Sequence, residues 1–137
     1  MAETLKFKLV SPEHELAATE EADAVTIPGM SGDLTAMANH APFLTNLRPG
    51  YVVVRAGGSE QIYFVSGGFA EISENVVSVL AEEAVEKAAV NRSFIEDRIF
   101  DAEEALAELP AGASAARKQS ALQKLNDFKV LLGQVPG

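Results

Sequence analysis

Apolar and polar positions follow two different periods in this chain. In the first half they alternate over short runs. Leu5, Phe7 and Leu9 are separated by Lys6 and Lys8, and runs of strand-like composition cover residues 24–27, 51–56, 61–65, 69–73 and 76–80, with shorter pieces near Leu16 and Leu47. A period of two, interrupted at intervals of about ten residues by turn formers, predicts an all-β sandwich or barrel. Gly57-Gly58-Ser59, Ser66-Gly67-Gly68 and Glu74-Asn75 supply residues that tolerate positive φ and are read as strand connections. Within 61–65, Ile62 and Phe64 face one way and Tyr63 and Val65 the other, so this strand is expected to be buried on both faces or covered by a partner on one.

The period changes near residue 84. Ile95, Ile99, Ala102, Leu106 and Leu109 fall at steps of four and three, as do Ala121, Leu125, Phe128 and Leu132, which predicts two amphipathic helices. Ser93 with Glu96 reads as a capping box for the first, with Asn91 as the alternative cap. Pro110, Gly112 and Ser114 mark the connection, Ser114 is placed to cap the second helix, and Gly133 and Pro136 are expected to end it. The reading is an α+β chain with a β domain over 1–84 and an antiparallel helical hairpin over 85–137.

Charge adds a partition to this picture. The 137 residues carry 20 acidic and 11 basic groups, for a net charge of -9. The excess is divided as -8 over residues 1–85, -4 over 86–109 and +3 over 110–137, where Arg117, Lys118, Lys124 and Lys129 face a single Asp127. So acidic a chain is repelled by phosphate backbones, which argues against nucleic acid as a partner. Complementary helices laid side by side attract weakly, and the basic one is also suited to docking on an acidic surface. No apolar run approaches the ~20 residues of a membrane span, and the first ten residues lack a hydrophobic signal core, so a cytoplasmic chain without direct membrane insertion is expected.

Chemistry is sparse. There is no cysteine, and the two histidines, His14 and His40, are not at metal-ligand spacing. No nucleophile elbow, Walker loop or dinucleotide fingerprint occurs, and Ser66-Gly67-Gly68-Phe69 lacks the lysine of a phosphate loop. The densest unusual stretch is 28–44, too irregular for a helix and containing Met30, Asp33, Met37 and His40. Asp33 and His40 could form an acid–base pair, but with no third catalytic group an interface loop is the better reading, to which the two methionines add adaptable apolar surface.

The motifs, taken in order, are Val10-Ser11, Gly29-x-x-Gly32-Asp33-Leu34, His40-Ala41-Pro42-Phe43-Leu44-Thr45, Pro49-Gly50, Ser66-Gly67-Gly68-Phe69-Ala70-Glu71 and Val76-Val77-Ser78-Val79-Leu80-Ala81. Together, and over essentially the whole chain, they resemble the epsilon subunit family of bacterial ATP synthases. Where that family usually has a glycine before the histidine this chain has Asn39, a tolerable exchange if the residue is left-handed. The resemblance implies a flattened antiparallel β-sandwich of about ten strands followed by a helix pair, and a non-catalytic subunit of the rotor stalk with no cofactor and no metal. The sandwich would clamp the gamma subunit and sit on the c-ring, at the cytoplasmic face of the bacterial inner membrane as a peripheral part of the complex. Asp33 matches the acidic position facing the c-ring loops, and Ser11 and His40 match positions near gamma. The hairpin would brake ATP hydrolysis by wedging among gamma and the alpha and beta subunits, through Arg117, Lys118, Lys124 and Lys129.

Some members of the family bind ATP at the hairpin through a pattern like I/L-D-x-x-R-A. Here Asn91 and Phe94 stand in place of the acidic residue and the arginine, and a phenylalanine cannot replace a phosphate partner, so ATP sensing is expected to be weak or absent. The alternatives to a stalk subunit are a nucleotide-sensing regulator of the same fold and a small hydrolase built on Asp33 and His40.

Overall fold

A computed structural model describes residues 3–135. The chain divides into two compact units after Lys87. The first holds eight strands: β1 (Leu5–Val10), β2 (Glu15–Ala22), β3 (Ala24–Gly29), β4 (Gly32–Ala36), β5 (Phe43–Asn46), β6 (Gly50–Ala56), β7 (Ser59–Ser73) and β8 (Val76–Glu86). They are hydrogen-bonded in the order β2-β1-β8-β7-β6-β3-β4, with β5 added to β7. All pairs are antiparallel except β1 with β8, which run parallel, a departure from the fully antiparallel sandwich expected.

A single sheet becomes two layers because β7 and β8 bend together. The first part of β7, through Val65, pairs with β6, and its last part, from Phe69, pairs with β5. Across the bend the core-facing positions change parity: Tyr63 and Val65 point into the core before it, Ala70 and Ile72 after it. Gly67 (φ 72°) and Gly68 (φ 94°) make the change, since only glycine holds consecutive positive φ values inside a strand at low cost. Ser66-Gly67-Gly68 is therefore a kink inside one strand of 15 residues, where the sequence reading placed a turn between two. Each of β7 and β8 serves both layers, which is how about ten strand segments arise from eight continuous strands.

The true turns are where local chemistry put them. Gly57-Gly58 (φ 57° and 81°) and Glu74-Asn75 (φ 50° and 61°) close two-residue hairpins whose left-handed pairs match strand twist. Residues 28–44, read as irregular, contain β4, which forms a hairpin with β3 around Met30-Ser31. The core is filled by alternate residues of β1, β3, β6, β7 and β8, including Leu5, Phe7, Leu9, Val25, Ile27, Val52 and Val54, and Phe7 stacks on Tyr63 at 6.3 Å. Phe64, on the opposite face of β7, is also fully buried and meets Tyr51 edge to face at 6.2 Å.

The second unit is a helical hairpin, α1 (Arg92–Ala107) and α2 (Ala115–Gln134), joined by residues 108–114. Asn91 caps α1, its side chain accepting from the Phe94 amide at 2.8 Å. Ser93 lies inside the first turn, so the capping-box reading gives way to its alternative. Ser114 caps α2 by accepting from the Arg117 amide at 3.1 Å. Ile95 and Ala102 of α1 and Leu125, Phe128 and Leu131 of α2 are buried; Leu131 takes the deeper place expected of Leu132. Gly133 does not stop α2, which continues to Gln134, and Pro136 lies outside the described residues.

Candidate functional site

Asp33 sits at the start of β4, at the tip of the β3–β4 hairpin. Its partner is Arg48, whose Nη2 donates to Asp33 Oδ1 at 2.5 Å while Nη1 donates to the carbonyl of Gly29 at 2.6 Å. The sequence reading did not single out Arg48; the pair is fifteen residues apart in the chain and carries no local signature. The tip is tied down further by backbone bonds from Met30 N to Asn46 O (2.9 Å) and from Arg48 N to Pro28 O (3.0 Å). Met30 and Met37 are both exposed.

His40 precedes β5, whereas Arg48 follows it. His40 Nδ1 donates to the carbonyl of Ala41 at 2.7 Å, and the imidazole is half-buried. The acid–base pair of Asp33 with His40 is thus not assembled: each has its own partner. Asn39 is left-handed, φ 67°, as its place in the motif requires. Its amide donates to Asn75 Oδ1 at 2.6 Å and its side chain to Glu3, which moors the loop to the β7–β8 turn and to the beginning of the chain. Ser11 closes the β1–β2 turn, both its amide (2.9 Å) and its hydroxyl (3.3 Å) donating to the His14 carbonyl.

Ser11 adjoins the most distinctive surface of the first unit. Strand register aligns Asn46, Phe69, Leu80 and Val10 across β5, β7, β8 and β1, with Leu44 two positions along on the same face. Leu44, Phe69 and Leu80 are 63%, 41% and 41% exposed, unusual for large apolar residues on one face of neighbouring strands. Grouped exposure of this kind marks a partner surface.

In the second unit Arg117, Lys118, Lys124 and Lys129 are all exposed, and none takes part in the ion pairs found among the described residues. None of these four cations pairs with an acid of α1 among the described residues, and α2 keeps their positive charge available. At the α1 start, Asn91 is spent on the cap and the Phe94 ring holds the Arg98 guanidinium at 4.2 Å. No cluster of three or more His, Asp or Glu able to hold a metal is found among the described residues, and no helix there is long and apolar enough to cross a membrane.

The comparisons with known proteins agree with this architecture. Residues 4–87 match the family described as ATP synthase, Delta/Epsilon chain, beta-sandwich domain. The chain is 41% identical over 130 residues to the ATP synthase epsilon chain of Mesorhizobium japonicum, covering 94% of this chain and 96% of that one. It is 43% identical over 131 residues to the epsilon chain of Cereibacter sphaeroides, covering 96% of each. In fold it resembles a chain of the Euglena gracilis mitochondrial ATP synthase (OSCP/F1/c-ring, rotational state 1) with a TM-score of 0.71, 23% identity and coverage of 98% of this chain and 82% of that one. A chain of the Tetrahymena thermophila mitochondrial ATP synthase central stalk and c-ring matches with a TM-score of 0.62 at 14% identity, over 96% and 98%. On the family match and on identity sustained over nearly its whole length, the chain belongs to the ATP synthase epsilon chain family.

Proposed function

We propose that this chain is a non-catalytic subunit of the rotor stalk of a proton-translocating ATP synthase, coupling rotation of the c-ring to ATP synthesis. The observation that carries the reading is the apolar strip of Leu44, Phe69 and Leu80, which gives the β-sandwich a surface for the gamma subunit, with Ser11 at its margin. His40, held by its bond to the Ala41 carbonyl ahead of β5, is read as a further gamma contact, and Asp33 at the β3–β4 tip as the contact to the polar and basic loops of the c-ring. The chain acts at the cytoplasmic face of the bacterial inner membrane, held there by its partners as a peripheral component. The exposed cations Arg117, Lys118, Lys124 and Lys129, in no ion pair among the described residues, suit the hairpin to brake ATP hydrolysis against acidic surface of the alpha and beta subunits. Nucleotide sensing at the hairpin is disfavoured, because the residues in place of a phosphate-binding pair are engaged in a cap and a ring contact.

The test is co-purification from membranes. Tagged chain should bring down gamma and the c-ring, and Phe69→Glu with Leu80→Glu should abolish this while the purified variant keeps its β-sheet circular dichroism. Undiminished recovery of both partners with the double variant would remove the strip from the interface.

A further inference from the structure

We propose that Arg48 is a positioning residue for Asp33, a clamp that fixes the β3–β4 tip and aims its carboxylate outward; this rests on the reading that Asp33 faces the c-ring loops. One guanidinium holds both strands of the hairpin, taking the Gly29 carbonyl of β3 at 2.6 Å and Asp33 Oδ1 of β4 at 2.5 Å. The planar fork of arginine can satisfy two acceptors at once without reorganising, which a lysine ammonium does less well. The seating behind it is tight. Leu47 bridges Gly29, a Cβ on Gly29 would stand 2.8 Å from the Gly32 carbonyl, and a Cβ on Gly50 would stand 2.8 Å from the Pro28 ring.

The two side chains are unequally placed. Arg48 is 29% exposed and Asp33 64%, so the base is sheltered behind the tip and the acid stands in front of it. The guanidinium holds Oδ1 from behind and leaves the rest of the carboxylate to solvent and to a partner's donor. It also offsets the acid's charge, so the outward contact depends on the aim of the carboxylate as well as on its charge. Removing Arg48 frees the tip to move and lets the carboxylate sample directions that miss the partner.

Two measurements on Arg48→Ala, Arg48→Lys and Asp33→Ala separate this inference from the reading beneath it. The first is amide hydrogen exchange over residues 29–33 in the purified full chain. Losing the guanidinium bonds should speed exchange roughly three- to tenfold in Arg48→Ala, at about 0.5–1.5 kcal/mol for a net hydrogen bond, with Arg48→Lys between it and the parent. The second is the ratio of ATP-driven proton pumping to ATP hydrolysis in membranes carrying the assembled complex. Arg48→Ala should lower it as Asp33→Ala does, and Arg48→Lys should restore it in part. Unchanged exchange in Arg48→Ala overturns the clamp, whatever the coupling. Faster exchange with full coupling in Arg48→Ala, where Asp33→Ala loses coupling, overturns the positioning role and leaves the reading of Asp33 standing. Full coupling in both variants overturns that reading and the inference with it.

Discussion

The carbonyl oxygen of Leu80 occupies the space beside Gly68: a Cβ on that glycine would stand 2.0 Å from it. With φ at 94° the position is also closed to other residues on backbone grounds. Gly68→Ala should therefore destabilise the first unit by about 3 kcal/mol or more, as strain and overpacking add. Gly57→Asn is the control. Its φ of 57° suits asparagine, nothing lies within 4 Å of the new Cβ, and the change should fall within about 0.5 kcal/mol. Urea unfolding followed by far-ultraviolet circular dichroism compares the two.

The capping assignments make a local prediction. Asn91→Ala removes the acceptor for the Phe94 amide and should cost α1 about 1 kcal/mol, and Ser114→Ala should cost α2 a similar amount. Ser93→Ala should be neutral or slightly stabilising, since the residue sits inside the helix, where alanine is the better helix former. Hydrogen exchange resolved to each helix reads all three.

Alkaline pH should loosen the first unit. Burial raises the Tyr51 phenol above its ordinary 10.0, and burial followed by the charge of Glu86 raises Tyr63. The folded chain holds these protons more tightly than the unfolded one, so their share of stability is intact below pH 10.0 and is lost as pH rises through the folded values. Both tyrosines of the chain should titrate late, free of tryptophan absorbance, in an ultraviolet phenolate titration. Tyr63→Phe should remove its part of the alkaline loss, at a cost of about 1 kcal/mol for the 2.9 Å bond to Gln61.

The hairpin brake predicts a gain of activity on removal. Deleting residues 88–137, or reversing the charge of Arg117, Lys118, Lys124 and Lys129 together, should raise ATP hydrolysis by the assembled enzyme without preventing assembly. Charge reversal leaves the buried stripe of Leu125, Phe128 and Leu131 in place, so an effect of deletion alone would point to packing rather than charge. Steady-state hydrolysis on isolated membranes is the measurement.

What the sequence disclosed follows from how local each signal is. Strand β1, the Gly57-Gly58 and Glu74-Asn75 turns and both helical stripes depend on residues within a few positions of one another, and they were readable. The kink at Gly67-Gly68 was not, because two glycines after a serine carry the same local signal whether the chain reverses or bends; the difference is that β8 continues opposite them. Strand β4 escaped because its five residues offer only Leu34 and Ala36 as inward positions and it begins at glycine. In the candidate site, Asp33, Ser11 and His40 came from motif resemblance, whereas Arg48 emerged only when folding brought it to the hairpin tip. Asn91 and Ser93 competed for one cap, and backbone geometry at Asn91, extended at φ -128°, decided between them.

The shared kink has a mechanical consequence. Two sheets joined only by loops can slide over each other, limited by the slack in those loops and the grip of the core between them. Here the layers are one folded ribbon, hemmed along β7 and β8, and shear between them must stretch or unzip a continuous hydrogen-bonded ladder. A load applied at Phe69 in one layer reaches Tyr63 in the other along covalent chain without crossing a turn. In the stalk position proposed for this chain, that stiffness along the hem would let torque pass between the two layers with little angular lag.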